Sequence, residues 1–116
     1  MEDLVQLFTV LSEPVRLQLL GRLASGEQCV CKLYGALGLP QSTVSRHLGL
    51  LRLTGIVTAR RKGTWMHYRL ATEQWPEEWK PILDAAIKAA AARSLGQPDP
   101  IVCVMAPERD MEAVAI

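Results

Sequence analysis

Two short stretches of this sequence hold most of the side chains with chemistry to offer. Cys29-Val30-Cys31 places two thiols two positions apart, and Gln41-Ser42-Thr43 with Ser45-Arg46 gathers hydrogen-bonding groups with no acid among them. Thiolates are soft ligands, so the pair selects Zn, Cd, Pb, Cu(I) or trivalent arsenic and antimony over Mg or Ca. A third cysteine, Cys103, stands far down the chain, and an odd count in a reducing compartment favours available thiols over structural disulfides. Gln, Ser, Thr and Arg are the side chains that hydrogen-bond base edges and phosphates of duplex DNA, and a surface without acids does not repel a polyanion.

The elements that must position these groups follow from hydrophobic spacing. Val44, Leu48 and Leu51 fall at i, i+4 and i+7, so a helix beginning near Pro40 buries that stripe and turns Gln41, Ser42, Thr43, Ser45, Arg46 and Arg52 outward. A short helix from Val30 to Leu37, ended by Gly38, precedes it. Helix, tight turn and polar-fronted second helix make a helix-turn-helix, whose second helix enters the major groove near its start. His47, next to core Leu48, is expected to pack or hydrogen-bond rather than read a base.

Upstream, Leu4 to Leu11 and Pro14 to Ala24 predict two helices, the second with Ser12 as a cap-type residue ahead of Pro14. After Thr54-Gly55 the period changes from 3.6 to 2. Ile56 to Arg61 and Thr64 to Leu70 flank Lys62-Gly63, which predicts a β-hairpin with a basic tip. Met66, Tyr68 and Leu70 share the core face, and Trp65, His67 and Arg69 the other. A hairpin directly after a helix-turn-helix is a wing, so Arg60, Arg61 and Lys62 join the candidate DNA contacts.

Trp75-Pro76-Glu77-Glu78 predicts the start of a long last helix with acids in its first turn. Its stripe Trp79, Ile82, Leu83, Ala86, Ile87 and Ala90 is broad and Ala-rich, and is read as a dimer interface. The expected fold is mainly α with a β-hairpin wing, a winged helix-turn-helix forming a homodimer through the terminal helices. Residues 1–95 form that domain and residues 96–116 a C-terminal tail carrying Cys103, expected to be ordered at Ile101 to Met105.

Charge distribution supports a polyanionic partner where net charge does not. The chain is only +1 overall, yet Gln28 to Thr72 holds seven basic residues, including Lys32, and none of the twelve acids. The 116 residues make one domain, no apolar run approaches the ~20 residues of a membrane span, and Met1-Glu2-Asp3 is unlike a secretory signal. The expectation is a cytoplasmic protein with no membrane partner. Two histidines, both in the DNA-reading block, and no Gly-rich phosphate loop offer no enzyme chemistry and no catalytic cofactor.

Residues i and i+2 lie ~200° apart around a regular helix and on opposite faces of a strand. Cys29 and Cys31 can hold one ion only if the first turn of the helix is distorted, so binding should deform the start of the helix supporting the DNA-reading one. The same spacing strains a direct disulfide, which disfavours a thiol redox switch, the alternative of a different class.

Glu27-Gln28-Cys29-Val30-Cys31-Lys32-Leu33, Ser45-Arg46-His47-Leu48 with Leu50-Leu51, Gly55-Ile56-Val57 and the run Arg61 to Leu70 together resemble the ArsR/SmtB winged-helix metal-sensing repressors, over roughly residues 4 to 95. Within that family the resemblance is to the arsenic-responsive type. It implies a homodimer that binds operator double-stranded DNA without metal and releases it when As(III) or Sb(III) binds as inducer, derepressing resistance genes. Arsenic-type members carry a third cysteine three residues after the second; here that position is Tyr34. Trivalent arsenic takes three soft ligands, so the expected set is Cys29, Cys31 and Cys103. Cadmium and lead sensors of the family share the pair but add cysteines from an N-terminal arm, and none precedes Cys29. They stand as the alternative within the family. Zinc sensors place His and Asp on the last helix, where this chain has Asp84 and no His.

Overall fold

In the computed structural model, which describes residues 1–94, proline and glycine punctuate the helices. The tail, with Cys103 and the Ile101 to Met105 run, lies outside the described residues. Helix α1 spans Glu2–Leu11, α2 Pro14–Leu23, α3 Val30–Leu37, α4 Gln41–Leu53 and α5 Trp79–Ser94. Pro14 occupies the first turn of α2, where a missing N–H costs nothing. The cap is Glu13 rather than the expected Ser12: its carboxylate accepts from the amides of Val15 (2.7 Å) and Arg16 (3.3 Å). Ser12 instead closes α1, its hydroxyl donating to Thr9 O.

Three strands complete the fold: β1 Gln28–Cys29, β2 Val57–Lys62 and β3 Trp65–Leu70, in the antiparallel order β1-β3-β2. The hairpin sits one residue later than expected. Lys62 pairs with Trp65, and Gly63 takes φ +63°, the left-handed value a two-residue hairpin turn needs at its first position. On the other side of β3, Cys29 pairs with His67 and Gln28 with Tyr68. The wing is therefore a three-stranded antiparallel sheet, and Cys29 belongs to it. Tyr68 is buried as expected, but Trp65 also packs partly on the core, so the two faces of β3 are less distinct than alternation implies.

The core gathers Leu19, Leu20 and Leu23 of α2, Leu33 of α3, Val44, Leu48 and Leu51 of α4, and Leu83 of α5, each essentially inaccessible to water. The last helix starts later than predicted. Thr72–Gln74 form one 3₁₀ turn, and Trp75, held extended before Pro76, donates its indole N–H to Ile56 O (3.0 Å, buried). Glu77 and Glu78 thus lie in the turn ahead of α5, whose first turn carries no acid.

The apolar stripe of α5 has a partner within its own chain. Trp79, Leu83, Ile87 and Ala90 are buried, and Gly21 of α2 lies so close to α5 that a Cβ there would stand 2.9 Å from the backbone of Ala90 and Ala91. The small residues admit α2 on one side of the stripe, while Ile82 and Ala86 stay only half-buried within this chain. Outward, α1 exposes Val5 (57%) and Phe8 (51%). Gly21→Ala is expected to lower stability by about 1–2 kcal/mol, since overpacking costs ~1–3 and the better helix propensity of Ala returns up to ~1. A urea midpoint equal to or above wild type would show that α2 and α5 can separate freely.

Candidate nucleic-acid interface and thiol pair

The turn between α3 and α4 is set by Gly38, which caps α3 in the left-handed conformation at φ +67°. Leu39 then donates its amide to Tyr34 O, and Pro40 opens α4 with an extended ψ. Pro40 offers no side-chain cap, and with the Thr43 and Val44 amides donating to Pro40 O, those of Gln41 and Ser42 have no acceptor within α4 and lie at the positive end of its dipole, an arrangement suited to phosphate. Burial of Val44, Leu48 and Leu51 fixes the rotation of the helix.

The structure brings the expected DNA-facing residues of α4 together on its outer surface. Ser42, Arg46 and Arg52 are exposed, while Gln41, Thr43 and Ser45 are partly covered. Gln41 Nε2 donates to Ser45 Oγ (2.9 Å), one turn on, which orients both side chains before any ligand arrives. His47 does not point to that surface. Arg16 reaches its Nδ1 (3.2 Å) while donating from Nε to Val10 O (2.7 Å), so one guanidinium ties the ends of α1 and α2 to the recognition helix. A neutral His47 accepting at Nδ1 carries its proton on Nε2.

The cations of α4 and the wing divide into two groups. Arg46, Arg52 and Arg61 form no ion pair with any described residue, whereas Arg60 and Lys62 both face Glu27, and Arg69 is bidentate to Glu73. The Arg69 guanidinium draws the Glu73 carboxyl down to about 2. Burial, then the charge of Lys62, pushes His67 below its ordinary value. Glu27 and Glu73 each lie one residue outside the acid-free window, and the sheet and the 3₁₀ turn fold them back onto it.

Cys29 is the N-cap of α3. Its Sγ accepts from the amide of Cys31 (3.3 Å), and its backbone (φ −67°, ψ 143°) still belongs to the strand. The pair therefore straddles a strand-to-helix junction, neither geometry considered from spacing alone. Cys29 is half-buried and Cys31 only 1% exposed. Cys31 is disulfide-bonded in this structure, contrary to the expectation of available thiols, so drawing both sulfurs to one ion requires that bond to be reduced and Cys31 to leave its packed position, which moves the first turn of α3. Among the described residues no group of three His, Cys, Asp or Glu is placed to hold a metal. A three-sulfur site must take its third donor from elsewhere, and Cys103 is the remaining cysteine.

A two-helix reader with a three-stranded wing defines a winged helix-turn-helix DNA-binding protein. Residues 13–59 match the model of the bacterial regulatory protein arsR family. The chain is 40% identical over 77 residues to an uncharacterized HTH-type transcriptional regulator, MJ1325, of Methanocaldococcus jannaschii, covering 66% of this chain and 86% of that one. It is 46% identical over 68 residues to the arsenical resistance operon repressor of Escherichia coli, covering 58% of each chain. Among solved structures it is similar to the homodimeric winged helix-turn-helix DNA-binding domain Mb0332 of Mycobacterium bovis, with TM-score 0.62 and 32% identity over 81% of this chain and 82% of that one. The chain belongs to the ArsR family of helix-turn-helix transcriptional regulators, and is not an enzyme. No helix among the described residues is long and apolar enough to cross a membrane.

Proposed function

We propose that this chain is an arsenite- or antimonite-responsive repressor that acts in the cytoplasm as a homodimer. It binds operator double-stranded DNA through the start of α4 and the tip of the wing, and releases it when the trivalent ion is held by Cys29, Cys31 and Cys103. The observation that carries this reading is the position of the thiol pair: Cys29 Sγ caps the helix that leads, through Gly38-Leu39-Pro40, directly into the recognition helix. Holding an ion at that cap competes with the cap's own hydrogen bond and with the packing of Cys31. Similarity to the arsenical resistance operon repressor supports arsenic among the soft ions, as does the supply of three sulfurs.

A dimer reading two half-sites places its recognition helices ~34 Å apart, one turn of DNA. Residues 1–94 hold the reading head, and the tail supplies the third sulfur. The deciding experiment is a gel-shift series on operator DNA with arsenite, methylarsenite, antimonite, Cd and Zn. Release by arsenite and antimonite alone supports the reading. Release by Cd but not arsenite replaces it with a soft-metal sensor of the same fold.

Arg46→Ala and Ser45→Ala are expected to weaken operator binding by about 1–3 kcal/mol each through lost base contacts. Arg61→Ala should instead act on every sequence and reduce the salt slope by about one unit. Titrations of operator and scrambled duplex at several salt concentrations check both. Unchanged operator affinity in both α4 variants would remove the assignment of that surface.

A further inference from the structure

Glu27 stands just ahead of β1, two residues before Cys29, and its carboxylate reaches across the sheet to the wing. Arg60 grips it with both arms, Nε to Oε2 at 2.8 Å and Nη2 to Oε1 at 2.9 Å, and Lys62 Nζ lies 3.6 Å from Oε1. The sheet register makes this possible: Cys29 pairs with His67, which pairs on its other side with Arg60, so the segment carrying Cys29 and the cationic strand flank one residue of β3. The carboxylate is the more enclosed partner, its side chain 20% exposed against 61% for Arg60 and 52% for Lys62.

Fork-to-carboxylate geometry is also the geometry in which a guanidinium takes a phosphate. A DNA phosphate approaching this part of the wing meets two cations that already share one acid, so one of their two charges is offset. We propose that Glu27 is an intramolecular stand-in for DNA phosphate, holding Arg60 and Lys62 in the DNA-free protein, and that its place on the Cys29 segment couples this hold to the thiol pair. The second half rests on the inducer reading above. Ion binding favours the state in which Glu27 keeps the cations, and DNA binding favours the state in which phosphates replace it. Occupancy of the thiols thus reaches the wing directly through β1, in parallel with any movement of α3 and α4.

The test uses the full chain with wild type, Glu27→Gln, Arg60→Gln and the double variant, titrated with a scrambled duplex across a salt series. Each phosphate neutralised contributes about −0.9 to the slope of log K against log salt. Glu27→Gln should bind several-fold more tightly at low salt, with a slope steeper by about one to two units, and the double variant should lose most of that gain. Unchanged or weaker binding by Glu27→Gln, with an unchanged thermal melt, overturns the phosphate role. On operator DNA, the ratio of affinities without and with arsenite should fall in Glu27→Gln while arsenite binding to the DNA-free protein stays the same; an unchanged ratio overturns the coupling. A wild type that arsenite does not release removes the inducer reading and the coupling with it, while the salt slope still decides the phosphate role.

Discussion

Cys29→Ser is expected to yield a repressor that binds operator DNA as wild type does and that arsenite no longer releases. Serine is a better N-cap than cysteine, so its hydroxyl can take over the hydrogen bond from the Cys31 amide and leave the start of α3 intact. What it removes is the soft donor. Coupling energies between an effector and a ligand of about 1–3 kcal/mol correspond to ~5–150-fold changes in affinity, and the wild type should fall in that range on adding arsenite. The variant should change less than about twofold on the same scale. Cys31 is 1% exposed, so Cys31→Ser buries a hydroxyl that can cost ~1–3 kcal/mol of stability. Cys31→Ala is the cleaner second variant, with the same expected loss of release. Fluorescence anisotropy on operator DNA with and without arsenite reads both quantities. Loss of ion-free binding in Cys29→Ser would give the thiol a structural role instead. For Cys103, arsenic X-ray absorption on wild type and Cys103→Ser should show one sulfur fewer in the variant, and an unchanged sulfur count would eliminate it as a ligand.

The parts of the molecule that could be read from sequence are those where one element's spacing decides its own orientation. Val44, Leu48 and Leu51 define the buried side of α4 whatever packs against them, so the outward set from Gln41 to Arg46 followed without knowledge of the partner. Strand β1 has only two residues, too few for a period to register, and its pairing with β3 had no local sign. For the same reason Glu27 looked like the edge of an acid-free block when it is the counter-ion of Arg60, 33 residues away. The α5 stripe shows the limit from another side. Its residues correctly indicated a helix that something approaches closely, but an Ala-rich surface suits a second chain and α2 alike, and only the contact of Gly21 with Ala90 shows that α2 takes part of it. At α2, Ser12 and Glu13 are both able to cap, and Glu13 prevails because its carboxylate reaches two amides at once.

Leu48→Ala should show how completely the two faces of the recognition helix are separated. Leu48 is fully buried, two positions from the exposed Arg46, and it joins α4 to the side chains of α2 and α3 in the core. Removing a buried leucine side chain loses its transfer free energy and leaves a cavity that the neighbours fill only in part, a cost of about 2–5 kcal/mol. For a domain of this size each kcal/mol moves the melting temperature by roughly 4–8 °C, so a drop of at least about 8 °C is expected. Arg46→Ala, which removes only solvent-facing atoms, should stay within about 0.5 kcal/mol of wild type. DNA binding should reverse the order. At a temperature where Leu48→Ala remains folded, its operator affinity should approach wild type with an unchanged salt slope, while Arg46→Ala, fully folded, binds weakly. Urea unfolding and operator titration of the same two preparations make the comparison. If Leu48→Ala lost operator affinity while keeping wild-type stability, the inner face of α4 would be contributing to DNA contact, and the assignment of its two sides would have to be redrawn.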